Sequence, residues 1–368
     1  MRLCSNCFSD SEIRGIIDSI YNKDVCDIFG IETEHIYDTS KHSELTPYFE
    51  SLINIYTPLS KSESDIDKSK SLSLKYDILD RWDIFKSNIT QEQAYLVLKN
   101  ICQEKYSATP ELFDNDVIIE EFYDDEYKTK HSLLKTYSWE NFTENLIKNN
   151  RYHTNHFNEK ILELFCPKIV KQYKKGAKFY RGRISSKEGY HFNNMGAPDF
   201  KNSRDGRVNA CGVECLYLAS EVKTTISEVR AGTSDYVTVG IFELQEDINI
   251  VDLKRIDKIS PFTLDENEIS LVDYAINKRF LHKINEEMGK VIKQSDSRLD
   301  YIPTQYISDY IKSIEANTGG KLYSGIEYNS TLCDSGYNLA IFYPNLFKCI
   351  ETQIYEVNSL TYNFKEIE

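Results

Sequence analysis

Residues 205–230 read DGRVNACGVECLYLASEVKTTISEVR, a stretch that predicts a turn, a strand and a helix in close succession. Asp205-Gly206 is a turn signal, and the apolar run at residues 215–219 predicts a short strand. A helix follows, because three apolar residues recur at the four-then-three spacing of a buried stripe: Val222, Ile226 and Val229. The three elements can therefore enclose one space.

Three polar residues stand at fixed offsets along this stretch: Arg207, Tyr217 and Glu228. Glu228 lies off the apolar stripe, so its carboxylate faces either solvent or a cleft, and Tyr217 can project its phenol toward the same place. This layout is typical of a ligand pocket. The plainer interpretation is that a tyrosine in a short strand is core and a glutamate off an apolar stripe is exposed.

The composition indicates a globular chain. Of its residues, 40% are hydrophobic and 12% aromatic, which is enough for packed cores. The length of 368 residues suits two domains, or one domain with a smaller N-terminal module. The formal net charge of -14 opposes non-specific binding to nucleic-acid phosphates. A nucleic-acid partner is therefore not expected.

The sequence also predicts a cellular location. No run approaches the ~20 consecutive apolar residues of a membrane span, and the N-terminus MRLCSNCFSD lacks the apolar segment of a signal peptide. The 9 cysteines are odd in number and spread from Cys4 to Cys349, unlike a disulfide framework. We expect a cytoplasmic protein with reduced thiols and no membrane partner.

The N-terminus has the pattern of a zinc ribbon that lacks one ligand. Cys4 and Cys7 form a CxxC pair, and Cys26 stands where a second pair would begin, but Phe29 takes the place of the fourth thiolate. Zinc prefers four tetrahedral ligands, and His35 is close enough in sequence to be the fourth. The prediction is a structural zinc site of three cysteines and this histidine, and the alternative is a vestigial ribbon with three ordinary thiols.

The first half of the chain beyond this ribbon is predicted to be helical. Residues 58–75 are rich in Ser, Lys and Asp and predict a mobile connection. Thr90 and Gln93 have capping-box spacing, which predicts a helix over residues 90–104, and Ser138 opens another helix.

The second half changes character. Strands are predicted at residues 178–181, 216–219, 236–244, 248–253 and 339–343, and helices at residues 269–288 and 305–314. This mixture without regular βαβ alternation predicts an α+β fold. Three modules follow: a zinc-ribbon-like module at 1–57, a helical domain at 76–167 and a mixed β-sheet domain at 168–368.

Six motifs in the second half resemble the RES domain family, and they occur in the family's order. They are FYRGR at 179–183, Ala197-Pro198, DGRVN at 205–209, LYLA at 216–219, TTISEVR at 224–230 and GIEYNS at 325–330, followed by GYN at 336–338. In the first half, CSNCFSD, RWDIF at 81–85 and SWENF at 138–142 resemble the HEPN/RES N-terminal domain that accompanies some RES domains.

The resemblance implies an ADP-ribosyltransferase-like fold that consumes NAD. It places the family's arginine at Arg181, a second arginine at Arg207, an aromatic residue at Tyr217, the glutamate at Glu228 and the serine at Ser330. Arg181, Glu228 and Ser330 are then the expected catalytic residues. Arg181, Arg207, Tyr217 and Ser330 are the expected NAD-binding residues.

Each residue type suits the reaction that the resemblance implies. Arg181 and Arg207 supply planar charged donors for the pyrophosphate, and Tyr217 can stack on the cationic nicotinamide ring. Glu228 can stabilise the oxocarbenium-like ribose as the glycosidic bond breaks. Ser330 can hydrogen-bond to the ribose or the nicotinamide amide.

The expected function is that of a toxin or defence effector that depletes NAD by hydrolysis or phosphorolysis of the nicotinamide–ribose bond. Two alternatives stay open: transfer of ADP-ribose to a protein or nucleic acid, and a partner-binding or sensing module whose RES domain is inactive. An antitoxin, a phage-derived trigger and a second copy of the chain are the expected partners. Arg183 is the rival of Arg181, because the two share a strand face.

Other motif classes are missing from the sequence or weak. The chain has no GxxxxGK[ST] phosphate loop, no GxSxG elbow and no HExxH pair, which disfavours nucleotide hydrolysis by a phosphate loop and triad chemistry. Arg151 and His156 have the RxxxxH spacing of helical ribonuclease motifs, but the plainer interpretation is a polar helix end.

Overall fold

A computed structural model describes residues 1–62, 71–265, 267–290, 298–316, 319–333 and 335–361. The chain forms two compact units. Unit 1 comprises Met1–Thr136 and Asp257–Arg279, and unit 2 comprises Tyr137–Ile256 and Phe280–Glu368. This division into two units does not test the three predicted modules, which remain a prediction. Within the predicted connection at 58–75, residues 63–70 lie outside the described residues.

Unit 1 is mainly helical and carries small antiparallel sheets. Its helices are α1 (Ser11–Ser19), α2 (Thr46–Ile53), α3 (Leu74–Trp82), α4 (Gln91–Ile101), α5 (Gln103–Ala108), α6 (Glu111–Asp114) and α7 (Asp125–His131). Its strand pairs are β1 (Arg2–Cys4) with β4 (Ile36–Asp38) and β2 (Asp24–Val25) with β3 (Glu32–Thr33). A third sheet places β7 (Asp116–Ile118) between β5 (Thr57–Pro58) and β6 (Leu72–Ser73).

The RWDIF motif builds part of the core of unit 1. Asp77 is buried and accepts hydrogen bonds from Arg81 Nε at 2.8 Å and from Tyr56 Oη at 2.5 Å. Tyr56 Oη in turn accepts one from Trp82 Nε1 at 2.7 Å. A buried carboxylate is tolerated only when it is paired and hydrogen-bonded, so Arg81 and Trp82 have a structural role here.

Unit 2 contains an eight-stranded sheet in the order β15-β11-β9-β10-β14-β13-β12-β8. The strands are β8 (Val170–Tyr173), β9 (Lys178–Ser185), β10 (Leu216–Ala219), β11 (Tyr236–Leu244), β12 (Ile248–Asp252), β13 (Gly325–Asn329), β14 (Tyr337–Ile341) and β15 (Phe347–Glu356). The helices are α8 (Trp139–Lys148), α9 (Glu159–Phe165), α10 (Val222–Glu228) and α12 (Ile302–Ser313), and α11 (Leu271–Gly289) belongs to unit 2 from Phe280 onward. Neighbouring strands are antiparallel except β12 and β13, so the predicted α+β class is confirmed.

The capping box predicted at Thr90 is present, and the helix predicted to open at Ser138 begins with a second one. The Thr90 side chain accepts from the Gln93 amide and the Gln93 side chain from the Thr90 amide, which starts α4 one residue later. Ser138 and Asn141 do the same at the start of α8. The first of these helices ends at Ile101, three residues before the predicted end.

The two faces of the large sheet bury different residues. Phe179, Leu218 and Leu339 belong to the core on one face. On the other face, α10 packs on Val237 and Val239 through the predicted stripe: Val222, Ile226 and Val229. The helix is therefore fixed to the sheet by the residues that predicted it.

The sheet opens between β9 and β10. β9 pairs with β11 along its whole length, from Lys178 to Ser185, but its register with β10 is limited to Tyr180 opposite Ala219. Beyond that pair the strands diverge. Strand ends that separate inside a sheet leave room for a ligand, and the candidate site lies here.

None of the helices in the described ranges is long and apolar enough to cross a bilayer.

Candidate functional site

Two cavities in unit 2 share part of their walls. The first, of about 270 Å³, lies where β9 and β10 diverge beneath α10. The second, of about 260 Å³, lies beside the end of α11. Both are lined by Tyr217, Glu228, Tyr328 and Asn338. Together they have the size of a small-molecule site, about 300–1,000 Å³.

Glu228 is the last residue of α10 and is held by two donors on one oxygen. Its Oε1 accepts hydrogen bonds from Ser330 Oγ and from Asn338 Nδ2, each at 2.7 Å. Both donors are buried, with relative exposures of 7% and 8%. Within the described ranges, Oε2 accepts no hydrogen bond, so this oxygen is available to a ligand.

Glycines let α10 approach its neighbours closely. A Cβ on Gly336 would lie 1.7 Å from Thr224 Oγ1, and a Cβ on Gly182 would lie 2.7 Å from Thr225 Cγ2. Thr224 and Thr225 are both buried in α10. The glycine of the GYN motif therefore brings the helix, with Glu228 at its end, against the start of β14.

Tyr217 lines both cavities while its hydroxyl organises the preceding loop. Its Oη donates to Asn209 Oδ1 at 2.7 Å and accepts from the Val208 amide at 3.1 Å. Burial raises the pKa of Tyr217 well above its ordinary value, so the phenol stays neutral. Gln305 Nε2 donates to the carbonyl oxygens of Gly206 and Asn209, each at 2.9 Å, which fixes the same loop.

The loop positions Arg207 in the second cavity. Its Nη1 donates to the Glu287 carbonyl oxygen at 2.7 Å, and its guanidinium lies 5.5 Å from the Tyr301 ring centre. Among the described residues, its buried Nη2 has no hydrogen-bond partner. Burial lowers the pKa of Arg207, although an arginine remains charged. Arg230 and Lys290 line the same cavity, which therefore favours an anion.

Arg181 and Arg183 extend from one face of β9, and of the two only Arg181 lines one of the cavities described above. Arg181 Nη1 donates to the Met195 carbonyl oxygen at 2.7 Å. Burial and the charge of Arg183 lower the pKa of Arg181 to about 10. Arg183 donates to the Asn194 carbonyl oxygen at 2.6 Å and lies 4.2 Å from the Tyr190 ring centre. The rival arginine therefore lies outside both cavities.

Sequence reasoning did not select Tyr328, Asn338 or Tyr301 as site residues. Asn338 stands in the GYN motif, but its residue type gave no reason to choose it over a surface amide. Tyr328 follows Glu327 on β13, and both are buried, so the strand lacks the alternation that would mark one as facing a cavity. Tyr328 and Asn338 lie opposite each other on β13 and β14, and only the register of the sheet shows this.

The three N-terminal cysteines meet, but His35 does not join them. The Sγ atoms of Cys4, Cys7 and Cys26 lie within 4.8 Å of one another. His35 Nδ1 lies 2.9 Å from the Ile20 carbonyl oxygen, which holds the imidazole away from the thiols. The structure therefore brings together three of the four predicted metal ligands.

The RxxxxH motif does not lie on a helix. Arg151 and His156 fall in the irregular segment between α8 and α9. The His156 ring packs 3.7 Å from the ring of Tyr137, and Arg151 is exposed. The two residues therefore lie beyond the end of α8 and form neither the helical motif nor a polar helix end.

Residues 182–363 match the family model of the RES domain. The C-terminal part of this chain is a RES domain. The matched range contains Arg207, Tyr217, Glu228 and Ser330, and it begins one residue after Arg181. The HEPN/RES resemblance of the N-terminal part stays a prediction. No curated protein and no solved structure matches the chain.

Proposed function

We propose that the RES domain binds NAD across the two cavities and cleaves its nicotinamide–ribose bond beside Glu228. The observation that carries this proposal is the position of the Glu228 carboxylate, in the wall shared by the two cavities. One of its oxygens is held by Ser330 and Asn338, and the other is left for the substrate.

The two cavities differ in a way that suits the two ends of NAD. Tyr217 and Tyr328 line both, so the difference lies in charge: of the described residues, Arg181 is the one cation in the first cavity, which Tyr180 also lines. The aromatic faces there attract a cationic ring such as nicotinamide. Arg207, Arg230 and Lys290 line the second, and cations attract a pyrophosphate. NAD bound in this orientation would place its nicotinamide ribose beside Glu228.

A single carboxylate is enough for this bond. The C–N bond breaks with its electron pair on the ring nitrogen, so nicotinamide leaves neutral and needs no proton. Glycosidases that expel an oxygen leaving group need a second carboxyl as an acid. Within the described part of the chain, Glu228 is the only acidic residue that lines either cavity.

Glu228 would act on the charge that develops at the ribose. Its Oε2 can accept a ribose hydroxyl hydrogen and stabilise the electron-poor carbon as the bond breaks. An oxygen of water, phosphate or another acceptor then adds to that carbon and loses its proton. Ser330 would position the carboxylate instead of touching the ribose, because its hydroxyl hydrogen already points to Glu228.

Arg207 and Arg181 would have different tasks. The buried Nη2 of Arg207 has no hydrogen-bond partner among the residues that the structure describes, so it is the first choice for a pyrophosphate oxygen. Arg181 already donates one N–H to Met195, and its remaining N–H groups would reach the ribose side of the first cavity. Depletion of NAD by this reaction would arrest growth, as expected of a toxin or defence effector.

Product analysis tests the reaction and its acceptor together. The purified full chain is incubated with NAD, with and without inorganic phosphate, and the products are separated by chromatography. Release of nicotinamide with ADP-ribose supports hydrolysis, and release with ADP-ribose phosphate supports phosphorolysis. An ADP-ribose adduct on a protein or nucleic acid supports the transferase alternative. NAD that stays intact under all conditions contradicts the proposal.

A further inference from the structure

Three buried thiols in unit 1 have the spacing of metal ligands. Cys7 Sγ lies 4.0 Å from Cys4 Sγ and 3.6 Å from Cys26 Sγ. Zinc–sulfur bonds of about 2.3 Å at tetrahedral angles separate the sulfurs by about 3.8 Å. A disulfide would need about 2.05 Å. The observed distances match the edge of a metal–thiolate tetrahedron.

The chain holds the two cysteine-bearing segments together by other contacts. The Arg2 amide donates to Asp27 Oδ2, and Arg2 Nη2 donates to Asp27 Oδ1, each at 2.7 Å. The Asp27 amide returns a bond to the Arg2 carbonyl oxygen at 2.9 Å. Cys4 follows Arg2 on β1 and Cys26 precedes Asp27, so these bonds assemble the thiols without a metal.

We propose that Cys4, Cys7 and Cys26 bind a thiophilic divalent ion, zinc in the cell, through three thiolates and without His35. Each thiol releases its proton to solvent when the ion binds, so three neutral thiols and one divalent ion give a site of charge -1. A solvent molecule completes the coordination. Thiolate-only ligation selects zinc and cadmium over magnesium and calcium, which prefer oxygen.

Metal analysis of the full chain tests this site independently of NAD cleavage. We expect about one zinc per purified chain by mass spectrometry of the digested protein. The reduced, metal-free chain should show thiolate-to-cadmium charge-transfer absorption that saturates at one equivalent of Cd²⁺. A chain that purifies without metal and gives no such absorption overturns the proposal, whatever its activity toward NAD.

Matched variants separate the three-thiolate site from its alternatives. Cys7→Ala should purify without the ion, and its cadmium charge-transfer absorption should fall at least about tenfold, since the change removes the central ligand. Cys102→Ala removes a buried thiol outside the group and should keep both. His35→Ala should also keep the ion. Retention by Cys7→Ala, or loss by His35→Ala, contradicts the assignment.

Discussion

At the scale of single residues, the site depends on how one carboxylate is oriented. A glutamate at a helix end rotates freely unless other groups hold it. Here Ser330 and Asn338 both donate to Oε1 of Glu228, so one oxygen is fixed and the other is directed to the cavities. Orientation of this kind lowers the reorganisation that the transition state would otherwise require.

Asn338→Ala should slow NAD cleavage. A hydrogen bond to a charged group contributes about 1.5–3 kcal/mol, so we expect kcat/KM for nicotinamide release to fall by about 10–100-fold. Asn329→Ala removes an exposed amide from the neighbouring strand β13 and should leave the rate unchanged. Equal rates for wild type and Asn338→Ala would show that the amide does not position the carboxylate.

Arg207→Gln should weaken substrate binding more than it slows the chemical step. The change removes a half-buried cation and a donor for the pyrophosphate, so KM should rise by about tenfold or more with little change in kcat. Arg183→Gln is the control, because Arg183 lies on β9 outside both cavities. A larger rise in KM for Arg183→Gln would assign the pyrophosphate to the other arginine.

The turn–strand–helix pattern indicated Arg207, Tyr217 and Glu228 as candidate site residues, and the family resemblance added Ser330. Neither could reveal what each side chain touches. Arg181 donates to Met195, which lies in a loop with no sequence signal for this contact. The hydroxyl of Tyr217 is used by the loop that carries Arg207, a contact that depends on tertiary folding.

At the scale of elements, α10 is the predicted helix that carries Glu228 at its end. Its apolar stripe was predictable from spacing, and its packing on the sheet follows from that stripe. Its closeness to β14 depends on Gly336, where any larger residue meets Thr224. A shift of α10 would move Glu228 away from both of its donors.

Gly336→Ala should destabilise unit 2. The added methyl would overlap Thr224 and force a shift, at a cost of about 1–3 kcal/mol by denaturant unfolding. Gly15→Ala is the matched control: Gly15 lies within α1, and a Cβ there would meet no atom of the described residues within 4 Å. That change should instead stabilise the chain by about 0.5–1 kcal/mol, because alanine favours a helix. Destabilisation of similar size by both variants would contradict the packing described for Gly336.

The strands were predictable where they are apolar and bounded by turns. Predictions at 216–219 and 236–244 are confirmed, and β9 extends beyond its predicted range to Ser185. β8, β13 and β15 were not predicted. β13 contains the buried Glu327, and a charged residue does not indicate a buried strand in the sequence. In the fold its carboxylate accepts hydrogen bonds from Lys171 Nζ at 2.9 Å and from Tyr173 Oη at 2.6 Å, which compensate for its burial.

At the scale of the whole molecule, the sequence did not predict that residues 257–279 return to unit 1. Nor did it predict that α8 and α9 belong to the same unit as the RES domain. Phe142 and Phe157 each lie 5.9 Å from the Tyr306 ring, and Tyr310 Oη donates to Glu163 Oε2 at 3.1 Å. These contacts cover α12, whose Gln305 holds the loop that carries Arg207.

Fragments should therefore differ in stability. Residues 137–368 keep α8 and α9 on α12, whereas residues 168–368 expose that face and should aggregate or unfold at lower temperature. Both fragments carry residues 257–279 without the remainder of unit 1, so the comparison isolates α8 and α9. Thermal unfolding and size-exclusion chromatography measure the difference. Equal melting temperatures and equal solubility would argue against a stabilising role for the two helices.

The most direct test is nicotinamide release by Glu228→Gln compared with the wild-type chain at equal concentration of folded protein. The substitution keeps the shape of the side chain but removes the charge that would stabilise the ribose. We expect the wild type to release nicotinamide and the variant to lose at least about 100-fold in kcat. Glu246→Gln, an exposed carboxylate outside both cavities, should be unchanged. Full activity in Glu228→Gln would contradict the central role of this carboxylate.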